Sequence, residues 1–206
     1  MKALILIDIQ HDFLPGGTLA VPEGDAIIPA ANQIKDFFDL VIATQDWHPP
    51  EHGSFASNHP GKNPMDIIEL AGLKQILWPD HCVQGSSGAD FPAQLDMNKV
   101  EAIFRKGMDP TIDSYSGFFD NGHKKSTGMG DYLKGRKINT VYVLGLAGDV
   151  CVKYTIYDAM KLGFNAVLIE DGTRPIDPQA FEKSKKELKM KGLKIIRSSE
   201  ILSSAI

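Results

Sequence analysis

The sequence predicts an α/β protein: a doubly wound, six-stranded, mostly parallel sheet with helices on both faces. Three observations lead there. Six short runs are near-continuous in Val, Ile and Leu, the pattern of strands covered on both faces. Apolar residues at helical spacing lie between several of these runs. Strand and helix alternate along the chain, as parallel βαβ units require, and right-handed crossovers then restrict the topology.

The first run, KALILID (2–8), ends in Asp8. Ile27, Ala30, Ala31, Ile34 and Phe38 mark a helix before the second run, DLVIATQD (39–46). Residues 47–98 break the rhythm. They are rich in Pro, Gly, His and Asn, with only weak helical periodicity around MDIIELAGLKQIL, and so long an insertion in a compact domain usually carries function. VEAIFRKG (100–107) and TVYVLGL (140–146) are the third and fourth runs. A turn flanked by Gly145 and Gly148 follows, then a helix marked by Val152, Ile156 and Ala159. NAVLIED (165–171) is the fifth run. Asp177 and Pro178 read as the cap and first position of the next helix, Gly192 as its stop, and the Lys-rich stretch EKSKKELKMKG inside it as a solvated face. LKIIRSS (193–199) is the sixth strand. One domain spanning 1–206, with a loop-rich insertion at about 47–98, accounts for the chain.

Composition narrows the function classes. With 206 residues, 43% hydrophobic and 23% charged, the chain can bury a large core without cross-links. A net charge of -4 argues against a nucleic-acid surface. No apolar run approaches the ~20 residues of a bilayer span, and MKALILID is too short for a signal peptide. Two cysteines do not make a disulfide framework. The expectation is a cytoplasmic protein with Cys82 and Cys151 as free thiols.

Ligands of open α/β sheets bind beyond the carboxyl ends of the strands. There the first strand delivers Asp8, the second Asp46 and His48, the third Lys106, and the fourth runs into the Cys151 turn. A carboxylate base and a thiol form the pair that covalent catalysis needs. A helix N-terminus and a nearby Lys106 both favour the thiolate, so a lowered Cys151 pKa is expected. The glycine-flanked turn can aim backbone N–H groups at one point, as an oxyanion hole requires. A small buried cysteine packing helix on sheet is the competing reading. No GxSxG elbow and no GxGxxG after the first strand are present, which leaves serine-hydrolase and dinucleotide-binding readings without support. Asp46 and His48, two apart at a strand end, with His81 from the insertion, make a reasonable divalent-metal set. Phe13, Trp47, Trp78 and Tyr115 offer a flat apolar slot for a planar ring. A two-histidine, one-carboxylate iron oxygenase and a non-enzymatic metal module have no use for Asp8, Lys106 and Cys151 together.

The blocks LILIDIQHDFLPGG, TQDWHPPEHGSFA, WPDHCVQGSSGADF, FRKG, DSYSGFFDN and GLAGDVCV resemble, in order and spacing, the nicotinamidase branch of the isochorismatase-like cysteine hydrolases. The resemblance covers nearly the whole chain. It implies that fold, and hydrolysis of nicotinamide to nicotinate and ammonia in NAD salvage, or of another small amide such as a pyrazinamide-like analogue. It implies a catalytic triad at Asp8, Lys106 and Cys151, and an oxyanion hole from the N–H groups of Ala147 and Cys151, with a cis peptide at Leu146–Ala147. It implies a divalent metal, zinc first and iron or manganese as alternatives, on Asp46, His48 and His81. Ser54, His52 and His59 stand as candidates for one further ligand. Phe13, Trp78, Tyr115 and Leu146 are implied to bind the substrate ring. The partner is a small-molecule amide, with neither nucleic acid nor membrane involved, and self-association is left open. Gly148-Asp149-Val150 departs from the Thr-Asp-Tyr or Thr-Asp-His that precedes the cysteine in many relatives, which bears on the second wall of the pocket.

Overall fold

The computed structural model describes residues 1–203; the last three residues of the expected 1–206 span lie outside the described residues. In chain order the elements are β1 (Lys2–Ile7), α1 (Ile28–Ile34), β2 (Leu40–Asp46), β3 (Ile67–Leu70), β4 (Leu73–Ile76), β5 (Val100–Lys106), α2 (Met129–Gly135), β6 (Thr140–Leu146), α3 (Lys153–Lys161), β7 (Asn165–Arg174), α4 (Pro178–Met190), β8 (Lys194–Ile196) and α5 (Ser198–Ser203).

The main sheet has the order β5-β2-β1-β6-β7-β8, and every neighbouring pair runs parallel. Counted within this sheet alone, the order is 3-2-1-4-5-6, so the winding reverses between β1 and β6. That gap is the topological switch point, where open α/β sheets bind their ligands.

Each strand splits its side chains between two cores, because alternate residues face opposite sides. Leu4, Leu6, Val41, Ala43, Leu144 and Ile169 pack with Ile28, Ala31 and Ile34 of α1 and Ile201 of α5. Ala3, Ile5, Ile7, Ile42, Val141 and Val143 pack with Met129 and Leu133 of α2, Val152, Ile156 and Ala159 around α3, and Phe181 and Leu188 of α4. Helices therefore cover both faces. Asp177 caps α4 through Gln179 N (2.8 Å) and Ala180 N (3.1 Å), with Pro178 at the first position.

Two sequence expectations need correction. MDIIELAGLKQIL is not helical: β3 and β4 form an antiparallel hairpin. Ala71 and Gly72 turn it with φ +53° and +80°, the two positive values that a type I′ hairpin turn needs. The sixth strand also stops early. Ser198 N and Oγ bind the Asp171 carboxylate at 2.8 and 2.6 Å, Arg197 N donates to Glu200 Oε1 at 2.9 Å, and α5 begins there.

Candidate active site

β1 releases the chain at Asp8 with φ +46°, a left-handed conformation that Asp tolerates better than most residues. The Asp8 side chain is fully buried. Thr44 Oγ–H donates to Asp8 Oδ1 at 2.6 Å, and Asp8 N–H donates back to Thr44 Oγ at 3.2 Å. Lys106, buried at the end of β5, places Nζ 3.0 Å from Asp8 Oδ2, 2.7 Å from Asp46 Oδ1, 2.9 Å from the Ser114 carbonyl and 3.5 Å from Cys151 Sγ. Carboxylate, ammonium and thiol thus meet at the switch point, as the sequence predicts.

Cys151 sits in a single turn of π-helix, Gly148–Val152, between β6 and α3, a feature that often marks functional sites. The Ala147 carbonyl accepts from Val150 N and Val152 N, both at 3.1 Å, and passes over Cys151 N–H. The Leu146–Ala147 peptide is cis. Asp149 accepts from Ile176 N and Asp177 N, both at 2.9 Å. That carboxylate ties down the loop before α4.

The charge state differs from the sequence expectation at Cys151. Burial pushes the thiol well above its usual range; Lys106 pulls it down, while Asp8 and Asp46 push it further up. Burial therefore favours the thiol over the thiolate here. Burial likewise raises Asp8, against the pull of Lys106. Burial also opposes the charge on Lys106, but Asp46, then Asp8, outweigh it and hold the ammonium protonated. A raised carboxylate beside a raised thiol is a pair between which a proton can pass with Lys106 as fixed counter-charge.

The metal-ligand candidates converge as well. One ligand atom each from Asp46, His48 and His81 lies within 4.8 Å of the others, all three residues buried. His48 Nδ1–H donates to the Gly107 carbonyl at 2.8 Å, and His81 Nδ1–H to the Pro79 carbonyl at 2.8 Å. These bonds turn Nε2 of each ring toward Asp46, at 3.4 and 3.8 Å. Backbone carbonyls that fix the outer nitrogen are the usual support of metal-binding imidazoles. Burial, then the neighbouring His48, hold His81 down at about 4, so it stays neutral and free to donate a lone pair. The donor set fits a divalent ion of the zinc class.

Of the three further candidates, His59 turns out to spend Nε2 on the Gly53 carbonyl at 2.8 Å. His52 and Ser54 bind each other, Nδ1 to Oγ at 2.7 Å. The His52 and His48 ring centroids are 4.4 Å apart, and His48, His52 and Asp113 form a second buried group. Cys82 packs in the core on the α1 side while its N–H donates to Asp12 Oδ2 at 2.7 Å.

Three of the expected ring-binding residues sit in two aromatic pairs. Phe13 lies 5.5 Å from the His81 ring, and Trp78 meets Tyr115 edge-on at 6.3 Å with its N–H 3.3 Å from the Tyr115 oxygen. Leu146 is fully buried and precedes the cis peptide. Trp47 does not join: the Arg105 guanidinium stacks on its ring at 3.9 Å. Sequence reasoning missed Phe55, whose buried ring touches His48, His52 and His81. It also missed Gln10, which donates to the Asp46 and Ala89 carbonyls at 2.8 and 2.9 Å and accepts from Asp46 N at 2.8 Å, binding the insertion to the loop after β1. Both lie inside quoted blocks, but nothing in their spacing announces a role.

A parallel α/β sheet with a thiol, a carboxylate and an ammonium at its switch point has what covalent acyl chemistry on a small ligand needs. The chain belongs to the isochorismatase family: the Isochorismatase domain matches residues 2–200. It is 48% identical to the nicotinamidase of Escherichia coli over 86% of this chain and 85% of the relative. It is 46% identical to that of Acinetobacter baylyi, over 97% and 94%. Among solved structures, the nicotinamidase/pyrazinamidase of Acinetobacter baumannii superposes with a TM-score of 0.94 at 45% identity, covering 97% of both chains. The zinc complex of the Pyrococcus horikoshii pyrazinamidase does so with 0.78 at 36% identity, over 95% and 98%.

Proposed function

We propose that this chain hydrolyses nicotinamide to nicotinate and ammonia through a thioester on Cys151. The observation that carries the reading is the position of Lys106 Nζ, within 3.5 Å of Asp8, Cys151 and Asp46 at once, which joins the reacting groups to the metal-ligand cluster. The relatives named nicotinamidase supply the substrate.

Asp8 removes the thiol proton, and Lys106 stabilises the sulfur anion so formed. Cys151 Sγ attacks the carboxamide carbon while the N–H groups of Ala147 and Cys151 hold the developing oxyanion, an interaction worth ~3 kcal/mol per donor in other enzymes. Asp8 then returns the proton to the leaving nitrogen, and ammonia departs. Asp8 then takes a proton from water, whose oxygen attacks the thioester carbon; the C–S bond breaks, nicotinate leaves, and Asp8 returns a proton to the Cys151 sulfur. Asp46, His48 and His81 would hold a divalent ion, zinc by their chemistry and by the zinc-bound relative, with iron or manganese as alternatives. Such an ion supplies a Lewis-acidic anchor for the pyridine nitrogen. Phe13, Trp78, Tyr115 and Leu146 wall the flat ring. Residues 1–206 act as one domain, the insertion at about 47–98 lending His81 to the metal site.

The proposed role is in NAD salvage, in the cytoplasm. No helix among the described residues is long and apolar enough to cross a membrane. Pyrazinamide-like analogues fit the same machinery. The test is ammonia and nicotinate release from nicotinamide by the purified protein. Turnover is expected in wild type and none in Cys151→Ala with the fold intact. Nucleophile removal costs on the order of 10⁶ in another enzyme, so a variant retaining more than about a hundredth of the rate would refute the covalent route.

A further inference from the structure

We infer that Gly107 is a positioning residue that couples the triad strand to the metal cluster, because the His48 ring occupies the space its side chain would fill. This rests on the metal-site reading above. Gly107 follows Lys106 directly and has φ +69°. A Cβ built there would lie 2.3 Å from His48 Cε1, 2.5 Å from His48 Nδ1 and 3.3 Å from Asp46 Oδ1. Its own carbonyl accepts the His48 Nδ1–H bond at 2.8 Å. The same residue therefore both vacates the seat of the ring and fixes its rotation.

The neighbours leave no room for compromise. His48 is 1% exposed, its ring is enclosed by those of His52, Phe55 and His81 at 4.4 to 5.4 Å, and its backbone N–H is bound to the Cys82 carbonyl at 3.0 Å. A methyl group at 107 cannot be avoided by a small ring shift. It must push Nε2 off Asp46 or drag the end of β5, and with it Lys106. Placing the glycine at 107 thus sets two centres from one backbone position: the ammonium one residue before it, and the imidazole against its α-carbon.

The experiment measures zinc binding to metal-free wild type and Gly107→Ala by competition with a chromophoric chelator, alongside thermal melts of Gly107→Ala, His48→Ala and the double variant. Loss of an outer support of a metal ligand weakens affinity about 10- to 100-fold, and that range is expected for Gly107→Ala. The positive φ burdens alanine in either background, whereas the ring clash exists only with His48 present. The fall in Tm caused by Gly107→Ala should therefore shrink clearly when His48 is already alanine. If Gly107→Ala fails to fold, recovery of folding in the double variant supports the inference, and a double variant equally damaged overturns it. Wild-type zinc affinity in a folded Gly107→Ala overturns it alone. A wild type that binds no zinc overturns the metal site and this inference together, while absence of nicotinamide turnover with zinc bound touches only the substrate assignment.

Discussion

At the scale of single residues, Lys106 carries the most. It is 2% exposed and stands between two buried carboxylates, Asp8 and Asp46. Burial alone would raise Asp46, yet Lys106, then His48 and His81, hold it well below the usual carboxylate range. Removing the ammonium leaves two acids in a dry site with no cation between them. Breaking a buried pair from one side costs about 3–5 kcal/mol, so Lys106→Met should lose about that much stability in a denaturant titration as well as turnover. A loss under about 1 kcal/mol, the range of an exposed pair, would mean that the ammonium is not the counter-charge of both acids. Asp8, Asp46 and Lys106 were each legible as polar ends of apolar runs. The protonation of Cys151 was not. The turn and the nearby lysine argue for a lowered pKa, but the opposing cost of burial depends on how much water the fold removes, and no local pattern of residues records that.

At the scale of elements, the sheet strands were readable because parallel strands covered on both faces must be apolar nearly throughout. The hairpin in the insertion was not, for two reasons. Strands of four residues hold too few side chains to separate period 2 from period 3.6. The exposures of Ile67, Ile68, Glu69 and Leu70 alternate between open and half-buried, so neither face is marked by polarity. The turn was hidden as well, because Ala71 adopts φ +53° where asparagine or glycine is the usual occupant. Ala71→Asn should therefore stabilise the protein, by about 1 kcal/mol or less, since a left-handed alanine costs roughly 1–2 kcal/mol and asparagine relieves part of that. Calorimetry should show a raised Tm with unchanged turnover. A lowered Tm would mean that the alanine methyl makes packing contacts worth more than the relieved strain.

At the scale of the whole molecule, the reversal of winding between β1 and β6 explains why residues from four strand ends meet. β1 and β6 bring Asp8 and the Cys151 turn to the switch point, and β2 and β5, on the β1 side, bring Asp46 and Lys106. This meeting was legible because strand-end chemistry can be read before the strand order is known. The closing of the insertion over it was not, since that depends on hydrogen bonds such as Gln10 to Ala89 and Asp12 to Cys82 between segments distant in sequence. The division into reacting groups and ring-holding groups gives the last prediction. On the proposed reading, in which the ion anchors the pyridine nitrogen, stripping the metal, or His48→Ala, removes an interaction with a part of nicotinamide that does not react. That interaction exists before and during the transition state, so KM should rise more than kcat falls. Some kcat loss should accompany it, because a misplaced ring misplaces the carboxamide. Benzamide has no ring nitrogen, and its weaker turnover should hardly change when the metal leaves. Cys151→Ser should hurt both amides alike. The measurement is kcat and KM for the two amides, with and without metal, in both proteins. If metal removal costs benzamide as much as nicotinamide, the ion acts on water or on the amide carbonyl, and the ring-positioning role falls.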